Sequence, residues 1–187
     1  MKKIVLASAS PRRRQLLKKI ARSVTVSPSR VDETRIKAQS PETFAVKAAL
    51  AKARDMAKHF KKALIIGADT IVVLGQKILG KPKDKQHALK MLKSLSGRTH
   101  KVITGICVID SATGKAAADF VVTKVKMKKV PLKEIQAYVE SGRPLDKAGA
   151  YGIQEIEEIF IDRIEGDYDN VVGLPVLRLK ELLDSLK

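Results

Sequence analysis

The most restrictive stretch of the chain is residues 64–74, Leu-Ile-Ile-Gly-Ala-Asp-Thr-Ile-Val-Val-Leu. It is apolar almost throughout and reads as a strand, with Gly67-Ala68-Asp69-Thr70 in its middle. A carboxylate in so apolar a strand is expensive unless it is paired or holds a metal. Asp69 can therefore hold a divalent cation or orient a water for attack. The plain structural alternative is a buried Asp paired with Lys or Arg. Gly67 and Ala68 read as room for a substrate to approach the backbone.

Helices and strands interleave around this stretch. A short strand over residues 3–7 leads through Ser8-Ala9-Ser10 to Pro11, a helix start in which serine caps free N–H groups and proline suits the first position. That helix is expected to turn Leu16, Leu17 and Ile20 to a core. Ser40-Pro41-Glu42 opens a second, Ala- and Lys-rich helix to about residue 60. Gly75-Gln76 reads as a hairpin turn returning through residues 77–79. Asp84 caps a helix stopped by Gly97, residues 101–110 form a buried strand, and residues 120–130 alternate with Lys124, Lys126 and Lys128 on one face. A helix over 131–141, a glycine-rich loop over 145–154, a strand around 159–164 and a closing helix over 175–186 complete the order. The pattern is α/β with a mixed sheet.

At 187 residues the chain is near the size of one domain, and residues 1–187 are read as a single one. No apolar stretch approaches the roughly 20 residues that cross a bilayer, so no membrane association is expected. Met1-Lys2-Lys3 precedes only four apolar residues, so no signal peptide is expected. The single cysteine, Cys107, lies in an apolar run and fits a core position in a reducing, cytoplasmic setting. The histidines His59, His87 and His100 lack zinc spacing.

Charge points to an anionic partner. The net charge is +17, and it is uneven: residues 1–62 hold 17 Lys/Arg against 4 Asp/Glu, whereas residues 111–187 hold 12 against 13. Polyphosphate, nucleic acid and acidic lipid all answer such a face, and a solvated lysine-rich surface is the plain alternative. With aromatics at 4% and no Trp, stacking platforms for single strands are poorly supplied. Arg12, Arg13 and Arg14 sit in the first turn of a helix, where each cation costs roughly 0.3–1 kcal/mol against the dipole. A phosphate held by free N–H groups, the Ser8 and Ser10 hydroxyls and the guanidinium forks resolves the conflict. Lys52 and Lys81 can neutralise further phosphate oxygens, although any single lysine is by default a surface residue. Asp32-Glu33 is an acidic pair in a basic region, which makes Glu33 a second candidate metal ligand. Residues 75–81 match the spacing of a P-loop, but Pro82 stands where the Ser/Thr ligand belongs, which excludes it.

Four segments together resemble the Maf family of nucleotide pyrophosphatases. They are Leu6-Ala7-Ser8-Ala9-Ser10-Pro11-Arg12-Arg13, Ile66-Gly67-Ala68-Asp69-Thr70 through Gly80-Lys81-Pro82, Ala148-Gly149-Ala150-Tyr151-Gly152-Ile153-Gln154, and Asp167 through Pro175. The likeness runs from about residue 3 to 183 and departs at Glu155, where the pattern has glycine. The resemblance implies an elongated, two-lobed α/β fold on a curved mixed sheet flanked by helices, with the active cleft between the lobes. It implies Mg²⁺- or Mn²⁺-dependent hydrolysis of a nucleoside triphosphate between the α and β phosphates. Asp69 would be the proton acceptor or the ligand of a metal-bound water, with Glu33 as further metal ligand. Ser8, Arg12, Arg13, Lys52 and Lys81 would contact the triphosphate, and Arg12, Thr70 and Gln154 would bear on base choice. The Asp-Thr and Tyr-Gly-Ile-Gln pattern resembles the branch acting on dTTP and UTP. The alternative is a nucleic-acid-binding or division-regulating protein, which uses the charge but leaves Asp69 and the loop before Gln154 unexplained. Oligomeric state, monomer or homodimer, is open in the sequence.

Overall fold

The computed structural model describes residues 2–186. Seven helices and a seven-stranded sheet alternate along them, an α/β architecture with a mixed sheet. The strands are β1 (Lys3–Leu6), β2 (Thr25–Val26), β3 (Ala63–Leu74), β4 (Lys77–Leu79), β5 (Thr99–Asp110), β6 (Ala116–Met127) and β7 (Ile161–Glu165). Their order is β2-β1-β3-β5-β6-β7, with β4 paired to β3. β1 lies parallel to β2 and β3, while β4 on β3 and β7 on β6 are antiparallel. The helices are α1 (Pro11–Leu17), α2 (Pro41–Ala57), α3 (Lys85–Leu95), α4 (Leu132–Glu140), α5 (Ile153–Phe160), α6 (Tyr168–Val172) and α7 (Val176–Asp184).

The chain divides into two compact units, each assembled from separated segments. The first takes residues up to 70, 104–121 and from 169 onward. Its core gathers Val5, Ile65, Cys107 and Ile109 from the strands and Ala7 just past β1 with Ala49, Ala53 and Met56 from α2. β3 is buried along nearly its whole length, which is why its residues are apolar on both faces. α2 reaches the sheet unusually closely, through Ala45, Ala49 and Ala53. A Cβ added at Gly67 would stand 2.0 Å from the Ala49 carbonyl oxygen, and one at Gly105 would stand 2.2 Å from that of Ala45. Gly67 is therefore a seat for the α2 backbone, not room for a substrate as the sequence reads. Ser10 and Ser40 cap α1 and α2 by accepting from Arg13 N and Thr43 N, with proline at the first position of each. α1 stops at Leu17, so Ile20 lies beyond it and is only half-buried.

The second unit takes residues 71–103 and 122–168. Here α3 packs on α4 and on two 3-10 turns, Arg143–Asp146 and Ala148–Ala150. Asp84 caps α3 by accepting from His87 N at 2.7 Å, and Gly97 (φ 73°) ends it as its N–H donates to the Lys128 carbonyl. On β6, Lys124 and Lys126 are exposed while Val125 and Met127 are buried, as the alternation predicts. Two expectations fail in this unit. The glycine-rich loop of residues 145–154 is two 3-10 turns followed by α5, so Gln154 stands in the first turn of a helix. Ile159 and Phe160 belong to that helix rather than to a strand, and β7 starts at Ile161. Ile153, Ile156 and Phe160 recur at helical spacing on its buried face, a period hidden by the short apolar run into Ile161.

Candidate active site

In the first unit the close seating of α2 on β3 decides where Lys52 lies. It stands one residue before Ala53, at the edge of the face that meets the sheet, with its side chain 12% exposed. Its Nζ donates to Asp69 Oδ1 at 2.7 Å and lies 2.5 Å from Glu33 Oε1. Asp69 is 5% exposed, in the middle of β3. Burial pushes its carboxyl above the ordinary value, Lys52 pulls it back and Glu33 pushes it further up. Glu33 opens a 3-10 turn, Glu33–Arg35, whose cap is Asp32. The Asp32 carboxylate accepts from Thr34 N at 3.0 Å and Thr34 Oγ1 at 2.7 Å, so the two members of the acidic pair have different tasks. One buried carboxylate, one half-exposed carboxylate and one ammonium between them make an acid–base cluster that can exchange protons or cations with a ligand.

Arg13 ties together a second set of polar groups in this unit. Its Nε donates to the Gly173 carbonyl at 2.9 Å, Nη1 to Ser8 Oγ at 3.2 Å and Nη2 to Thr70 Oγ1 at 3.0 Å. Burial pulls its pKa down, Asp69 and Glu33 push it back, and Arg12 lowers it again. Thr70 Oγ1 is 2.9 Å from Thr104 Oγ1, which donates to the Asn170 carbonyl at 3.1 Å. A hydroxyl has one proton, so the Thr104 bond to Asn170 leaves Thr70 as acceptor from Arg13 and as donor to Thr104, a shorter contact than its 3.4 Å to the Gly173 carbonyl. The relay runs Arg13, Thr70, Thr104, Asn170, and every step has a matched donor and acceptor. Arg12 is half-buried on the same turn.

The sequence-predicted residues thus fall in two groups. Ser8, Arg12, Arg13, Glu33, Lys52, Asp69 and Thr70 belong to the first unit, whereas Lys81 and Gln154 belong to the second. Lys81 is exposed just after β4, where the Gly80 carbonyl accepts from Gly149 N at 3.0 Å. Gln154 is exposed on α5.

Sequence reasoning missed Thr104, Asn170 and Gly173. Thr104 is a fully buried hydroxyl in an apolar strand, the same signal that singled out Asp69. Asn170 and Gly173 lie in the quoted 167–175 motif, where no role was assigned. Among the described residues, no three of His, Cys, Asp and Glu cluster as a metal site. Asp69 and Glu33 alone suit Mg²⁺, which keeps several waters and takes one or two carboxylates together with substrate phosphates. Cys107 is buried, with its thiol pushed up to about 12 chiefly by burial, which leaves it out of nucleophilic chemistry. No helix among the described residues is long and apolar enough to cross a membrane.

Sheet, helices and polar cluster together have the make-up of a Maf-like protein. The family model described as Maf-like protein matches residues 3–186, and the chain belongs to that family. It is 48% identical to the dTTP/UTP pyrophosphatase of Pyrococcus furiosus over 184 residues, 98% of this chain and 95% of that protein. It is 47% identical to the dTTP/UTP pyrophosphatase of Moorella thermoacetica, over 98% of this chain and 94% of that protein. With the dTTP/UTP pyrophosphatase of Methanosarcina barkeri the identity is 46%, over 99% of this chain and 94% of that protein.

Proposed function

We propose that this chain hydrolyses dTTP and UTP to the nucleoside monophosphate and pyrophosphate. The observation that carries the proposal is Asp69, buried in an apolar strand with the Lys52 ammonium shared between it and Glu33. The names of relatives 45–48% identical over nearly the whole chain support the same reaction. Asp69 and Glu33 would hold Mg²⁺ or Mn²⁺, which supplies charge neutralisation at the phosphates and a more acidic bound water. Asp69 takes the proton of the attacking water, a task to which burial suits it by raising its basicity. The water oxygen bonds to the α phosphorus, and the α–β bridging oxygen leaves with pyrophosphate. Arg12, Arg13, Lys52 and Lys81 would neutralise the polyphosphate and Ser8 would donate a hydrogen bond to it, which also answers the misplaced arginine charges of the α1 start. Lys52 then exchanges a carboxylate partner for a phosphate oxygen.

Thr70 and Gln154 bear on base choice. Uracil and thymine present an N3–H donor between two carbonyl acceptors, and a carboxamide answers one donor and one acceptor at once. Cytosine reverses that edge and leaves mismatched groups. The buried, unpaired Cys107 thiol suits work in a reducing, cytoplasmic compartment. The test is a screen of nucleoside triphosphates with Mg²⁺ or Mn²⁺, identifying products and measuring kcat/KM. The expected result is pyrophosphate plus dTMP or UMP, with CTP and purine triphosphates poorer and Gln154→Ala losing the preference. Orthophosphate as first product, or salt-dependent DNA binding with no metal-dependent turnover, sinks the proposal.

A further inference from the structure

Residues 147–155 of the second unit are built with more constraint than a surface turn needs. Gly149 (φ 68°) and Ala150 (φ 62°) are consecutive left-handed residues, and Ala150 is the one non-glycine residue of that kind among those described. Such a backbone persists only where its surroundings over-determine it. The Gly149 N–H donates to the Gly80 carbonyl at 3.0 Å and the Ala150 N–H to the Lys147 carbonyl at 3.1 Å, and three side chains hold the residues around them. Tyr138 Oη accepts from Gly152 N at 3.2 Å and donates to Glu155 Oε2 at 2.7 Å. Glu155 Oε1 lies 3.1 Å from Lys147 Nζ, which also donates to the Arg143 carbonyl and, at 2.7 Å, to Asp146 Oδ1. Lys147 is only 6% exposed, so its stem as well as its charge is packed in. A Cβ on Gly152 would stand 2.8 Å from Lys147 Cε, so the backbone lies directly on that stem.

We infer that Tyr138, Glu155 and Lys147 are positioning residues for base choice. They hold the Gly152 N–H and the Glu155 carboxylate, on either side of Gln154. Gln154 is exposed, and no residue among those described bonds its side chain, so the backbone beneath it sets the direction in which that side chain leaves the helix. Fixing that backbone lowers the ordering cost of placing the amide against a base, and a looser backbone lets the amide accept the wrong edge more readily. The inference rests on the proposed role of Gln154.

The experiment is kcat/KM for dTTP and CTP with the wild type, Gln154→Ala, Tyr138→Phe and Glu155→Gln, with melting curves for each. Tyr138→Phe removes the link between Gly152 and Glu155; Glu155→Gln keeps an acceptor for Tyr138 and removes the charge facing Lys147. The dTTP-to-CTP ratio should fall about tenfold in Tyr138→Phe, with KM for dTTP rising more than kcat falls, and by a smaller factor in Glu155→Gln. If Tyr138→Phe does not fold, the ratio in Glu155→Gln decides. A parallel loss of kcat on both substrates at unchanged ratio assigns the three residues to stability alone and overturns the inference. A ratio lost in Gln154→Ala but kept in Tyr138→Phe and Glu155→Gln overturns it while leaving the role of Gln154 standing. A ratio kept in Gln154→Ala brings down both.

Discussion

The Lys52 cluster of the first unit and the 147–155 segment of the second are held in place by opposite means. In the first, regular elements carry the polar groups, and their positions follow from side chains that are missing, at Gly67 and Gly105, or minimal, at Ala45, Ala49 and Ala53. Bonds such as Arg13 to Gly173 and Thr104 to Asn170 then join residues far apart in sequence. In the second, the backbone is irregular, and residues within a short stretch hold it through side-chain bonds. The first arrangement is stiff and intolerant of added atoms; the second is strained and depends on particular donors and acceptors. Close packing resists any change of volume, whereas a bonded turn resists only loss of its partners.

Changing a charge without changing shape tests the first region most severely. Asp69→Asn is nearly isosteric and should fold, yet kcat should drop by about 100-fold or more with loss of the proposed base and metal ligand. More than half of wild-type activity in steady-state assays would reassign Asp69 to structure. Gly67→Ala asks whether missing volume sets the site. Its Cβ meets the Ala49 carbonyl, so chemical denaturation should register a loss of about 3 kcal/mol. Unchanged stability would mean that α2 is not seated on the strand.

Acid should act on the second region. His100 is buried, its Nε2 2.7 Å from the Tyr151 hydroxyl, and burial lowers its pKa to about 4. The unfolded chain binds the proton at about pH 6.5, before the folded one does. The stability of the neutral buried ring is therefore full above pH 6.5 and lost as pH falls toward 4, on the order of 3 kcal/mol over that window. Urea midpoints against pH should slope through this range, and the slope should flatten in His100→Gln; an equally steep slope in the variant places the titration elsewhere. The smallest effect is a gain. Ala150→Gly relieves a left-handed alanine and should change stability by no more than about 1 kcal/mol in the favourable direction. A marked loss would mean that the methyl group is needed for packing.

Much of the first region could be read from residues alone. Asp69 stood out because a carboxylate in an apolar strand needs a partner, and Ser10, Ser40 and Asp84 marked helix starts because serine and aspartate answer open N–H groups. The partnership of Lys52 with both Asp69 and Glu33 had no local signature, since it depends on how closely α2 meets β3. Gly67 was misread for the same reason: a glycine that admits a substrate and one that admits a helix look alike in sequence. In the second region the glycines of residues 149–152 pointed to a loop, but the Ile153, Ile156 and Phe160 period was too short to announce α5. Tyr138 and Lys147 sat within ordinary amphipathic and polar surroundings, and nothing marked either as buried and bonded.

The long reach of the Arg13 bonds has a consequence in time. During synthesis Arg13 and Thr70 leave the ribosome early, but Gly173, which accepts from Arg13 Nε, is about a hundred residues behind Thr70. At translation speeds of about 5–20 residues per second, the first unit waits roughly 5–20 s for the partner that finishes its polar framework. A nascent chain therefore carries the charges of the site long before it carries the site.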